Sequence, residues 1–362
     1  DTPNIGDAGS SNTLPAYVVT PLQGMRDALG SDVEIVYDDG SDAGRAAAAV
    51  RGADAVLCVV GYTHLDEGEL VSADTMPAFA PYFPEPTPEE EPIVAALMQG
   101  MADAPVKQDV ENGAFGMGGD RTVLTLHPEE EKLILAVAAA NPKTVVAIMG
   151  GSAVITEAWR QEVPAILMIW YPGMEGGHAL ADVLLGKVSP SGKMPCTFAK
   201  RAEDLPFFDK DAKAITYDLW HGYRKLERDG VEPAFPFGYG LSYTTFACSN
   251  LKLAQADLRS GDTLVATVDV TNTGSVAGDE VVQLYVAAHG SAVERAKKEL
   301  KAFARVSLEP GETKTVKLAV PVADLAYYGG AAGWVVEAIE YEVIVGRHAL
   351  DAGALRTPVK VD

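Results

Sequence analysis

The stretch VLCVVGYTHLDEGEL, residues 56–70, runs five apolar residues into Gly61 and then sets Asp66, Glu67 and Glu69 within four positions. Clustered carboxyl groups suit proton transfer. A carboxyl that must give up a proton has to be protonated at rest, and burial or a neighbouring negative charge raises its pKa to that end. In open α/β sheets, ligand sites lie beyond the carboxyl ends of the strands. Glu67 and Glu69 fall on the same side of an extended loop, so spacing does not choose between them. The competing description is a solvated acidic loop, which fits most acidic triplets. Further on, GGDR supplies Asp120 and Arg121. Such a pair can orient a ligand or a carboxylate through charge-assisted bonds, or it can lock a returning loop. His127 and His178 have no partners at metal-ligand spacing, and Gly150-Gly151 lacks the G-x-G-x-x-G order. No metal or dinucleotide cofactor is therefore expected.

Alternating strands and helices must position these residues. Thr20-Pro21 opens a helix that Gly30 closes. Val33–Tyr37 reads as a strand, and the alanine-rich run Asp42–Arg51 as a helix ended by Gly52. Ala55–Val60 is continuously apolar, as expected of a parallel strand covered on both faces. Residues 70–118 break the rhythm with PYFPEPTPEEEP and ENGAFGMGG, leaving one short helix over Pro88–Met101. A segment this long is usually functional. The alternation resumes with a helix over Pro128–Ala140 and a strand over Thr144–Met149. A short helix around Trp159, a strand over Ala165–Trp170 and a helix over Glu175–Leu185 follow. After residue 245 the period becomes two: TLVATVDVTNTG, DEVVQLYVAAH, ETKTVKLAV and AIEYEVIVG predict a β-sandwich. The expected organisation is an α/β domain over 1–205 (a mainly parallel sheet in a three-layer sandwich), a connector over 206–245 and an all-β domain over 246–362.

The bulk properties narrow the function classes. The 362 residues suffice for two domains, and 48% hydrophobic residues can build two cores. A net charge of -22 argues against nucleic acid and leaves a neutral ligand as the better fit. No apolar run reaches membrane-spanning length, so no membrane partner is expected. Cys58, Cys196 and Cys248 are far apart, which suggests neither disulfide framework nor zinc site. The chain opens DTPNIGDAGSS, without an initiator methionine or signal pattern, and this predicts a cut end.

Several phrases together resemble glycoside hydrolase family 3. They are GDAGSS at Gly6, GGDR at Gly118, WYPGMEGGHALADVLLGKVSPSGKMPCTF from Trp170, FPFGYGLSYTTF from Phe235, KELKAF from Lys298 and LEPGETKTV from Leu308. The similarity runs through nearly the whole chain, from the family's α/β-sandwich domain into its fibronectin type III-like domain. It implies that the α/β domain's first strand, and a (β/α)-barrel carrying an aspartate nucleophile in a Ser-Asp-Trp-like motif, lie outside this sequence. That barrel, as a separate chain or cleaved fragment, is the expected partner, and a β-linked glucoside or oligosaccharide the expected substrate. A homo-oligomer is left open.

The implied activity is exo-acting, retaining β-glycoside hydrolysis, most often β-glucosidase. It needs two carboxyl groups roughly 5–5.5 Å apart, one attacking the sugar carbon and the other protonating the departing oxygen. The family's acid/base glutamate often stands in an E-G context, which favours Glu67-Gly68, with Glu69 as the alternative. GDAGSS resembles a loop overhanging the sugar, which would make Ser10 and Ser11 substrate ligands. A serine cannot stack on a sugar as the tryptophan of some members does, and a plain tight turn is the alternative. Trp170 and Tyr171 are expected in the core. Trp220 and His221 depart from the family's form and touch either the barrel or the domain junction. The fibronectin-like domain is expected to act as a brace. Two alternatives remain: a β-xylosidase or other exo-glycosidase on the same scaffold, and a non-catalytic carbohydrate- or protein-binding module.

Overall fold

The computed structural model describes residues 1–6, 13, 15–67, 86–103, 121, 123–209 and 212–362, without the side chains of 97, 98 and 100–103. The chain divides into two compact units, Asp1–Ala181 and Asp182–Asp362.

In the first unit, helix α1 spans Pro21–Leu29 as the sequence predicts. Thr20 Oγ1 accepts from the Gln23 amide at 3.2 Å, Pro21 sits in the first turn, and Gly30 takes a φ of 62° at the end. Helix α2, Ala43–Ala49, is capped by Asp42, whose Oδ1 accepts from the Arg45 amide at 2.7 Å. Strand β1 covers Val56–Gly61 and leads into a single helical turn, α3, His64–Glu67. Helix α4 covers Glu91–Asp103, and helix α5 covers Pro128–Ala140. Strands β2, Thr144–Met149, and β3, Ala165–Met168, follow, then helix α6, Gly176–Leu184.

Among the described residues, β1, β2 and β3 form one parallel sheet in that order, with Val56 opposite Thr144 and Val145 opposite Ala165. β2 is central and the most buried, which explains its unbroken apolar run. Helices α2 and α5 pack together, and Asn141 ties their ends by donating to the carbonyls of Val50 at 3.0 Å and Ala53 at 2.9 Å. Helix α1 lies so close to the start of α6 that a Cβ on Gly24 would fall 2.1 Å from the Gly177 carbonyl oxygen.

Two local expectations are corrected. Val33–Tyr37 pairs with no strand among the described residues, and Val36 is 66% exposed. Apolar residues give a segment strand character only when a neighbour offers its backbone. Trp159 lies not in a helix but in a turn, in which its own amide and that of Arg160 donate to the Thr156 carbonyl at 3.1 and 2.9 Å. Pro164 follows too soon for a helix to propagate.

The second unit is a β-sandwich with the preceding segment folded onto it. Helix α7 covers Gly222–Asp229. Strands β4 (Phe246–Leu253), β5 (Asp257–Leu258), β6 (Thr263–Asn272) and β7 (Gly278–His289) come next. Then come β8 (Glu299–Leu308), β9 (Thr313–Pro321), a small hairpin β10 (Tyr327–Tyr328) and β11 (Trp334–Val335), β12 (Glu340–Gly346) and β13 (Leu355–Val361). One sheet is ordered β5-β13-β12-β7-β8 and the other β4-β6-β9. Alternate residues of β6 face a core that includes Leu264, Val268, Val270, Leu284, Val320 and Val343. A second cluster of Tyr285, Ala287 and Ile344 is covered by Tyr223 and Phe237, whose rings stack at 4.9 Å. Helix α7 and Phe237 thus pack on the sandwich. Lys298 pairs with Glu227, and Arg224 with Glu299 at 3.3 Å. Trp220 lies under the Arg228 guanidinium at 4.4 Å.

Candidate active site

The site grows from the end of β1. Gly61 has a φ of 134°, and a Cβ there would lie 1.9 Å from the Met149 carbonyl oxygen of β2, so only glycine ends the strand this way. Its amide donates to Glu130 Oε1 at 2.8 Å. Tyr62 is fully buried; its amide donates to the Met149 carbonyl at 2.9 Å and its hydroxyl to the Thr125 carbonyl. Thr63 then starts the turn. Its carbonyl accepts from the amides of Asp66 at 2.9 Å and Glu67 at 3.1 Å, while Asp66 Oδ2 accepts from the Thr63 amide at 2.8 Å and hydroxyl at 3.2 Å. The first residues of the chain meet the same strand end. Asn4 donates to the Tyr62 carbonyl at 2.8 Å, and a Cβ on Gly6 would fall 3.2 Å from the Tyr171 ring.

This turn delivers Glu67 to a ring of donors. Arg121 Nε lies 3.0 Å from Oε1, and Ser152 Oγ donates to the same oxygen at 3.3 Å. The Gly151 amide donates to Oε2 at 2.5 Å and the Tyr171 hydroxyl at 2.6 Å. The pair is secluded, with 4% of the Arg121 side chain and 11% of the Glu67 side chain exposed. Arg121 also donates to Ser152 Oγ and, at 3.1 Å, to the Ala153 carbonyl, and its guanidinium lies 4.0 Å over the Tyr62 ring. All three strands therefore contribute: β1 leads to Glu67, β2 to Gly151, and β3 to Tyr171. A carboxylate held on both oxygens is arranged as an anchor, and moving a proton to a ligand would require one of its contacts to open.

A second carboxylate is gripped beside the first. Asp66, 7% exposed, accepts at 3.0 Å from His127 Nε2 at the head of α5. Burial pushes the Asp66 carboxyl up, but the bonds from His127 and Thr63 outweigh it and hold the group below its ordinary value. The bond to Asp66 raises His127 above the usual imidazole range. Burial raises Glu130, whose Oε2 accepts from the His127 amide at 3.3 Å. Tyr171 is raised first by burial and then by its bond to Glu67.

Of the residues singled out from sequence, the structure brings Glu67 and Arg121 together. Ser10, Ser11, Glu69 and Asp120 lie outside the described residues. Tyr171, expected in the core, is instead a donor to Glu67. The signal available for it was its place at a strand end next to Trp170, whose φ of 53° is uncommon for a bulky side chain. Gly151 was legible only as a glycine pair at a strand end, which permits close approach; a Cβ there would sit 3.1 Å from Glu67 Oε2.

A parallel sheet with buried acid–base groups at the carboxyl ends of its strands and a β-sandwich thus occur in one chain. The chain belongs to glycoside hydrolase family 3. Residues 1–243 match the glycosyl hydrolase family 3 C-terminal domain, and residues 280–349 a fibronectin type III-like domain. A probable β-glucosidase I of Neosartorya fischeri is 43% identical over 239 residues, which is 63% of this chain and 28% of that protein. A β-glucosidase of Rhizobium radiobacter is 42% identical over 247 residues, 66% of this chain and 30% of that protein. The crystal structure of a β-D-glucoside glucohydrolase from Trichoderma reesei matches with a TM-score of 0.79 and 27% identity, over 99% of this chain and 47% of that one. A Kluyveromyces marxianus β-glucosidase crystallised with glucose matches with a TM-score of 0.69 and 32% identity, over 91% of this chain and 34% of that one. The chain thus spans about three-tenths of the length of these curated relatives.

Proposed function

We propose that this chain is the C-terminal part of an exo-acting, retaining β-glucosidase, and that the acidic loop after β1 supplies the general acid/base to a sugar pocket shared with a (β/α)-barrel carrying the nucleophile. One observation supports this most. Glu67, just past the end of β1, is fixed by Arg121 and by donors that follow β2 and β3, at the edge where open α/β sheets place their ligands. Within this proposal Glu67 is the acid/base. Arg121, Ser152, Gly151 and Tyr171 fix its carboxyl in place, and when the contacts on one oxygen open toward the sugar it protonates the departing oxygen and then activates water. Glu69, two residues on in the sequence, is the alternative donor.

Kinetics of two variants in the native protein test the choice. E67A should lose about 10²–10⁴ in kcat on alkyl glucosides, far less on aryl glucosides with good leaving groups, and regain turnover as a glycosyl azide when azide is added. E69A should keep most of its turnover on both substrate classes. The reverse pattern would move the proton-transfer role to Glu69. Wild-type protein that cleaves no β-glucoside would remove the glucosidase assignment.

A further inference from the structure

Two adjacent carboxylates in the turn after β1 are each held by a cationic side chain from another segment. Arg121 holds Glu67 and His127 holds Asp66. The turn needs both, because α3 is a single helical turn of four residues and too short to persist on its own backbone bonds. The arginine grip is permanent, since a guanidinium does not titrate in the accessible range. The histidine grip is not, since imidazole changes charge near neutrality.

We propose that Asp66 and His127 form the positioning pair of the acidic loop: the histidine at the head of α5 steadies the aspartate that closes the turn, and so controls how the loop presents its proton-transfer glutamate. This rests on the acid/base role assigned to that loop above. Asp66 is well placed for the task. One oxygen of its carboxylate closes the turn on the Thr63 amide and hydroxyl, and the other takes the imidazole at 3.0 Å. A change at His127 therefore reaches the backbone one residue before Glu67 through a single side chain. The described groups near the imidazole include Asp66 from the turn, Glu130 from α5 itself, which acts on it by charge, and Tyr62 from the end of β1, with ring centroids 6.0 Å apart; Tyr62 in turn carries the Arg121 guanidinium. Asp66 and Glu130 favour the charged imidazole, and their effect exceeds the cost of its burial.

Hydrogen exchange of the 62–67 segment and the pH dependence of kcat/KM on a nitrophenyl β-glucoside, both in the native protein, provide the test. H127Q keeps an N–H donor toward Asp66 but cannot titrate, whereas H127F removes the donor. In the wild type, exchange of the Asp66 and Glu67 amides, corrected for intrinsic rate, should rise as pH climbs above the ordinary imidazole value of about 6.5. It should stay flat in H127Q and be raised about tenfold throughout in H127F, or in D66N if H127F does not fold. The alkaline limb of kcat/KM in the wild type should move or vanish in H127Q. A purely structural histidine would lower the melting temperature and leave that limb in place. Wild-type pH responses in H127Q, in exchange and in kcat/KM, would overturn the proposal. Absence of any glucoside cleavage by the wild type would instead overturn the acid/base assignment beneath it.

Discussion

Glu67 and Arg121 form a secluded charged pair near the strand ends, and their value to the fold follows from that seclusion. Removing one member of a buried, hydrogen-bonded pair leaves the other uncompensated, at a cost of about 3–5 kcal/mol. R121A should therefore lower unfolding stability by about that much in denaturant titration. R121K should recover only part of it, because an ammonium cannot reproduce the planar fork that meets Glu67, Ser152 and the Ala153 carbonyl. The neighbouring pair has a pH signature. His127 has a raised value in the fold, so its contribution is complete below the ordinary imidazole pKa of about 6.5 and fades as pH rises through the raised value. Asp66 has a lowered value, so its contribution is complete above about 3.9 and fades as pH falls through the lowered value. The melting-temperature gap between wild type and D66N should thus be widest between about pH 4 and 6.5 and should narrow on either side. A gap that does not vary with pH would contradict the pairing.

At the scale of elements, two glycines set how closely backbones approach. G61A should be strongly destabilising, because the left-handed φ alone costs about 1–3 kcal/mol and the added methyl collides with the Met149 carbonyl. G24A should push α1 away from the start of α6 and lower the melting temperature, whereas substitution at a solvent-facing helix position should not. The elements most legible in the sequence were those specified by local chemistry. Thr20-Pro21 and Gly30 bracket α1, Pro128 opens α5, and strict alternation marks β6 and β9. Those that misled depend on partners. Val33–Tyr37 has strand composition but no paired neighbour, and the run around Trp159 has apolar bulk but only a turn's length before Pro164. The site shows the same division. The acidic triplet and GGDR stood out because carboxylates and arginine carry recognisable chemistry. Tyr171 and Gly151 did not, because their contribution is a position some 84–104 residues away along the chain from Glu67.

For the whole molecule, the division at Ala181 and Asp182 assigns residues 182–245 to the sandwich unit. Tyr223 and Phe237 cover the face made by Tyr285, Ala287 and Ile344, and the Leu300 amide donates to the Tyr223 hydroxyl at 3.1 Å. A fragment beginning at 182 should consequently melt more cooperatively and at higher temperature than one beginning at 246, which leaves that aromatic face bare. Equal melting curves would show that the preceding segment contributes little. Turn-rich, irregular stretches read as linkers in the sequence, and the packing of Tyr223 against Tyr285 and the Leu300 amide has no local signature there.

The knot of bonds around Glu67 also bears on how such a chain could evolve. Because one carboxylate ties three strand ends together, selection for a folded protein preserves it whether or not any sugar is cleaved. A relative that cleaves no sugar would therefore still keep Glu67, Arg121 and Tyr171, and those three alone report on the fold rather than on turnover.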